Sequence, residues 1–220
     1  SLARVMIAEG LAKEIVASTR SQKTLEDAKA LGLIQQGYSD PAEAVKGADL
    51  VVLALPVRAT QKVLEVIKPY LTEQTIITDV GSTKGNVVDA AKAVYGEQLP
   101  AGFVPGHPIA GAELTGVHAG KVDLFANHKV ILTPLPSSAD WAVEKLIQLW
   151  QAAKAEVICM DVEKHDEVLA HTSHLPHLMA FNLVEQLANR EDNLDIFRYA
   201  AGGFRDFSRI AASDPHMWHD

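Results

Sequence analysis

Apolar residues in this chain fall into short unbroken runs separated by stretches with helical spacing. Residues 50–55 read Leu-Val-Val-Leu-Ala-Leu and are cut by Pro56, and residues 75–80 read Thr-Ile-Ile-Thr-Asp-Val and are closed by Gly81-Ser82. Residues 129–133 and 156–160 form two more such runs. Apolar runs that do not alternate with polar residues mark strands covered on both faces, the usual state of a parallel sheet between helices. Shorter strands are expected at residues 14–19 and 103–104. Helical spacing predicts helices over 2–13, from Ser21 to Ala30, from Ser39-Asp40-Pro41, after Pro56 to about Tyr70, after Gly81-Ser82 to about Tyr95, and over 140–153. Ser21 and Asp40 are of the type that caps a helix start, Pro41 suits the first helical position, and Gly32 suits a helix end.

Beyond residue 160 the strands stop. Residues 161–189 read as one long helix strained only at Pro176, and the remainder is helix or loop. The expected architecture is α/β. A doubly wound Rossmann-type parallel sheet occupies residues 1–160 and an all-helical segment occupies 161–220. A dinucleotide-binding sheet opens with a strand and a Gly-x-Gly-x-x-Gly turn, and neither occurs here. The first expected strand, 14–19, follows a helix, as the second strand of such a fold would. The simplest account is that the first strand and its glycine turn lay immediately before Ser1, and both ends read as trimmed.

Composition narrows the function. The chain has 220 residues, 48% hydrophobic and 22% charged, with a net charge of −8. That excludes wholesale disorder. An acidic chain is also poorly suited to nucleic acid, whose binding rests on clustered Lys and Arg, and equally to anionic membranes. No apolar run reaches membrane-spanning length. The single cysteine, Cys159, fits a reducing compartment, so a cytoplasmic location is expected.

Four motifs could carry chemistry. Gly106-His107-Pro108-Ile109-Ala110-Gly111-Ala112-Glu113 follows a short strand at the carboxyl end of the sheet, where open α/β sheets bind ligands. His107 there is either poised for proton transfer or a structural turn residue. Asp79-Val80-Gly81-Ser82-Thr83-Lys84-Gly85 is a strand-to-helix turn in which Ser82 either faces the same cleft or caps a helix. His171-Thr172-Ser173-His174-Leu175-Pro176-His177 carries three His at intervals of three, which drift around a helix and lack the i, i+4 pattern of a metal site, so no metal is expected. In the last motif, Gly202-Gly203-Phe204-Arg205-Asp206-Phe207-Ser208-Arg209-Ile210, the Arg pair could clamp a carboxylate or lie on the surface.

Together these motifs, in this order and spacing, resemble the prephenate/arogenate dehydrogenases of tyrosine biosynthesis, in particular the bacterial cyclohexadienyl type. The resemblance covers essentially the whole chain. It implies oxidative decarboxylation of prephenate or arogenate to 4-hydroxyphenylpyruvate or tyrosine, with hydride passing from C4 to NAD or NADP. It implies that His107 takes the hydroxyl proton and that Ser82 hydrogen-bonds this His and the C4 hydroxyl. Glu113 matches an acidic residue near the substrate side chain. Ser173 and His177 match substrate contacts, Arg209 the substrate-binding arginine, and Gly202 and Trp218 positions lining the pocket. Leu55, Pro56, Val57 and Gly81 match the stretches beside the cofactor. The family dimerises through its helical domain, so the resemblance implies a homodimer, and because that domain is cut short at Asp220 an incomplete dimer interface is expected in this chain. In several bacteria the enzyme is fused to another shikimate-pathway enzyme, and the trimmed ends leave room for such a partner.

At the end of the second strand of the complete sheet, Ser18, Thr19 and Arg20 stand where an NAD-specific fold places a carboxylate for the ribose 2′-hydroxyl. Arg20 and the neighbouring hydroxyls suit a 2′-phosphate, so NADP is expected to be favoured. Two other readings keep the residues but change the chemistry. One is a non-catalytic, dimeric module that senses an aromatic amino acid. The other is a metallohydrolase built on the His cluster.

Overall fold

The structure, a computed structural model, describes residues 1–111 and 116–212. The chain forms two compact units, Ser1–His165 and Asp166–Asp220.

The first unit alternates helix and strand: α1 (Leu2–Ala8), β1 (Val16–Ser18), α2 (Gln22–Ala30), β2 (Gln36–Tyr38), α3 (Pro41–Ala44), β3 (Leu50–Leu53), α4 (Thr60–Ile67), β4 (Ile76–Asp79), α5 (Gly85–Tyr95), β5 (Gly106–Pro108), β6 (Lys129–Leu132), α6 (Asp140–Ala152), β7 (Glu156–Cys159) and the start of α7 (Val162–Leu169). β1 pairs in parallel with β2, β3 with β4, and β6 with β7. β4 shows why the strands lack alternation. Ile76 packs into a cluster with Val5 of α1 and with Leu146 and Trp150 of α6, while Ile77 packs into another with Leu64 and Ile67 of α4 and Val87 and Ala91 of α5. Successive side chains point to opposite faces, and both faces are covered, so both must be apolar.

The capping signals hold. Ser21 Oγ accepts from the Thr24 amide at 3.2 Å and Asp40 Oδ1 from the Ala42 amide at 2.9 Å, each satisfying an otherwise orphaned donor. The helix expected over 2–13 stops at Ala8, and Gly10 turns the chain in a left-handed conformation with φ 63°. β2 was not expected, because Gly37 breaks the apolar pattern of Gln36-Gly37-Tyr38.

The expected all-parallel sheet needs one correction. Phe103 makes an isolated parallel bridge to Ile77, and the strand proper is β5, antiparallel to β6 with Gly106 opposite Leu132 and Pro108 opposite Val130. Pro105 has no amide to donate, so the pairing alongside β4 ends before it. The close approach at the start of this segment requires glycine: a Cβ on Gly102 would lie 2.2 Å from the Thr75 carbonyl oxygen. His107 therefore lies within a strand, not in a turn after one.

The second unit is helical. A π-helical stretch, Ala170–His174, leads into α8 (Leu175–Ala188), followed by α9 (Asn193–Arg198), α10 (Gly202–Ser208) and a 3-10 turn, Arg209–Ala212. The single helix expected over 161–189 is thus interrupted just before Pro176. Proline cannot donate to the carbonyl four residues back and its ring crowds that carbonyl, and a wider π turn accommodates the mismatch. α10 and the final turn pack against α8. Among the described residues no helix is long and apolar enough to cross a membrane.

Candidate active site

The first unit builds its site at the carboxyl end of β4. Asp79, the last residue of β4, is 2% exposed, and Lys84, just before α5, is fully buried. Lys84 Nζ forms an ion pair with Asp79 Oδ2 and also donates to the Gly106 carbonyl at 2.6 Å. Asp79 Oδ1 accepts the Gly106 amide at 3.0 Å, and Oδ2 accepts the Gly81 amide at 2.8 Å. Buried charges persist only when paired and hydrogen-bonded, and here the pairing has a second consequence. Gly106 is gripped at both its N–H and its C=O, so His107, the next residue of β5, follows a fixed backbone.

His107 is partly buried. Its Nδ1 lies 2.9 Å from Nε2 of His165, and the two rings meet edge-on with centroids 5.1 Å apart. His165 sits on α7 and is fully buried. Ser82 is exposed in the β4–α5 loop, and among the described residues no hydrogen bond joins it to His107.

The loops after β3 and β4 converge. A Cβ on Gly81 would lie 2.9 Å from Asp79 Oδ2 and 3.3 Å from Val57 Cγ2, so only glycine fits between the carboxylate and the β3–α4 loop. Val57 and Gly81 are thereby brought together beyond the carboxyl ends of β3 and β4, where α/β folds hold ligands, and Leu55 and Pro56 precede Val57 in the same loop. At the end of β1, Ser18 and Arg20 are exposed and Thr19 is partly buried, its amide donating to the Tyr38 carbonyl at 3.1 Å.

In the second unit, Ser173 lies in the π-helical stretch and His177 in the first turn of α8, both partly buried. His177 Nδ1 donates to the Ser173 carbonyl at 2.9 Å, which makes Nε2 the acceptor nitrogen of the neutral ring. His174 has its pKa pushed below the ordinary value of 6.5, first by burial and further by His177, against an opposing pull from Asp166. Gly202 opens α10, and Arg209, exposed, follows its end. Glu113 and Trp218 lie outside the described residues. Among the described residues no group of three or more His, Cys, Asp and Glu side chains gathers as a metal would require.

Three residues of this arrangement were not picked out from the sequence: Asp79, Lys84 and His165. Asp79 and Lys84 stood inside a motif read only for its serine and glycine. His165 is flanked by Glu163, Lys164, Asp166 and Glu167 and reads as part of a solvated helix face. Its signal was positional, because His165 and buried Leu169 stand four residues apart on one face of α7.

Comparison with known proteins gives a consistent result. The family model described as prephenate dehydrogenase, nucleotide-binding domain, matches residues 2–159, and that described as prephenate dehydrogenase, dimerization domain, matches residues 161–220. A cyclohexadienyl dehydrogenase from Zymomonas mobilis is 39% identical over 204 residues, covering 91% of this chain and 68% of that protein. A prephenate dehydrogenase from Bacillus subtilis is 40% identical over 210 residues, covering 94% of this chain and 56% of that protein. Among solved structures, the prephenate dehydrogenase of Aquifex aeolicus in complex with hydroxyphenyl propionate and NAD+ superposes with a TM-score of 0.90 at 34% identity, covering 100% of this chain and 76% of that one.

Proposed function

Because the chain belongs to the prephenate dehydrogenase family, we propose that the protein containing it oxidatively decarboxylates prephenate or arogenate in tyrosine biosynthesis. The observation that carries the reading is His107, presented on a strand whose backbone is fixed by buried Asp79 and Lys84.

The chemistry asks little else of the protein. A bound nicotinamide supplies the hydride acceptor. The chain must remove the hydroxyl proton, hold a carboxylate and exclude competing orientations. His107 removes the proton at a ring nitrogen and must be neutral to do so. Ser82 orients the hydroxyl. Arg209 takes a substrate carboxylate, and Ser173, His177, Gly202, Glu113 and Trp218 complete recognition of the substrate. Aromatisation of the ring drives loss of CO2, so no metal is required.

The donor set fits a nicotinamide dinucleotide. Val57 approaches Gly81 beyond the ends of β3 and β4, Leu55 and Pro56 lie in the same loop as Val57, and exposed Ser18 and Arg20 with Thr19 offer hydroxyls and a guanidinium at the end of β1. Residues 17–22 carry no carboxylate to repel a 2′-phosphate, so NADP is favoured over NAD. Arg20→Asp should shift the preference toward NAD. An unchanged ratio of kcat/KM for the two cofactors would remove Arg20 from that role.

Residues 1–160 serve as the dinucleotide-binding domain and 161–220 as part of a helical substrate and dimerisation domain. A cytoplasmic homodimer follows from this reading. The full-length protein, given prephenate or arogenate with NAD or NADP, should produce reduced nicotinamide, monitored by its absorbance. No reduction with any of the four pairings would overturn the proposal.

A further inference from the structure

The proposal above assigns a base to His107 and leaves His165 without a role. A fully buried imidazole is costly unless its polar atoms are engaged, and His165 Nε2 is engaged with Nδ1 of His107 at 2.9 Å. In a contact between two neutral imidazoles, one nitrogen carries the proton and the other accepts. Two arrangements therefore exist. If His165 donates, His107 carries its proton on Nε2, the nitrogen that points away from His165, and cannot take another there. If His107 donates from Nδ1, its Nε2 is a lone-pair acceptor. Only the second arrangement gives a base at Nε2.

Resting on the reading of His107 as that base, we infer that His165 is a positioning residue that sets its tautomer and ring orientation. Its own Nδ1 then carries the proton of the His165 ring. During turnover the substrate hydroxyl proton passes to His107 Nε2, while the hydride leaves C4 with its electron pair for the nicotinamide. His107 becomes an imidazolium, and its Nδ1–H bond to His165 becomes charge-assisted and stronger. His165 gains and loses no proton. It must stay neutral throughout, since two imidazolium rings at this distance would repel. This is the division of labour in a nucleophile–base–orienter triad, with an imidazole in place of the carboxylate that usually orients the base.

Substitutions in the full-length protein test this. His165→Leu removes the acceptor and should lower kcat about ten- to a hundredfold, inside the ~10²–10⁴ that a positioned base contributes, with KM little changed. His165→Gln offers a side-chain carbonyl to the same N–H and should retain kcat to within about threefold of wild type. Nitrogen-15 NMR of the wild-type imidazoles, at a pH where His107 is neutral, should show His107 protonated at Nδ1, and His165→Leu should raise the Nε2–H form. Wild-type turnover in a folded His165→Leu protein, or a wild-type His107 protonated at Nε2, would overturn the inference. If His165→Leu does not fold, the wild-type tautomer and His165→Gln still decide. The tautomer measurement needs no turnover, so an inactive protein with an Nδ1–H His107 would count against the proposed reaction and not against the histidine pair.

Discussion

His107 and His177 are both imidazoles expected to face substrate, yet the fold holds them in opposite ways. His107 is fixed from a distance: Gly106 behind it is bonded to Asp79 and Lys84, 27 and 22 residues away, and its ring meets His165, 58 residues away. His177 is fixed locally, by the carbonyl of Ser173 four residues earlier on the same helical stretch. The first arrangement can form only when the sheet is assembled; the second needs one turn of helix. A base that must meet a proton within hydrogen-bond reach benefits from the first. A residue that recognises a carboxylate or hydroxyl tolerates the second.

The largest expected effect comes from the distant arrangement. His107→Asn keeps a polar side chain but cannot accept a proton at neutral pH, so kcat should fall about 10²–10⁴-fold with KM nearly unchanged. Turnover close to wild type would reduce His107 to a structural residue. Next is Lys84→Met, which leaves Asp79 as an unpaired buried carboxylate and should cost about 3–5 kcal/mol of stability. Urea unfolding of the full-length protein measures this. The double variant Asp79→Asn with Lys84→Met should recover part of the loss, because no buried charge remains. A loss in Lys84→Met of the size seen for surface ion pairs, under about 1 kcal/mol, would show that the clamp does not hold the strand.

The local arrangement should break more gently. Arg209 is exposed and ends a short helix, so Arg209→Ala should leave stability within about 0.5 kcal/mol of wild type. A charge-assisted hydrogen bond contributes roughly 1.5–3 kcal/mol, so KM should rise about ten- to a hundredfold. An unchanged KM would take Arg209 out of the substrate site.

The same contrast explains what the sequence made legible. Elements set by nearby residues were readable. Ser21 and Asp40 cap their helices, Gly32 ends one with a φ of 66°, and the runs at β3, β4, β6 and β7 are strands. Features set by distant partners were not. The antiparallel direction of β5 depends on β6, and nothing local marked Asp79 at the end of its strand or Lys84 in the following turn as partners of Gly106 until the sheet brought it against them. The break before Pro176 was legible as a site of strain, but its form, a π turn over Ala170–His174, is a tertiary choice among several ways to relieve a proline. The candidate site followed the same rule: His107 and Arg209 came from motifs, whereas His165, hidden among four charged neighbours on α7, came only from the packed structure.

The smallest expected effect lies at His174, beside the local arrangement. Burial disfavours its imidazolium, and His177 adds to this, while the carboxylate of Asp166 pulls the other way without prevailing. Its folded pKa therefore lies below 6.5. A group with a depressed folded pKa binds fewer protons when folded than when unfolded between the two values. Its contribution to stability is fully present above the unfolded value and is lost as pH falls through the folded one. The imidazole is only partly buried, so the slope it adds is shallow. Following the ring proton of His174 by NMR in the full-length protein should give a midpoint below 6.5, and His174→Gln should flatten the acid side of the stability profile. A midpoint at or above that value would mean that Asp166 outweighs burial, and that this face of the helix is held by charge and not by packing.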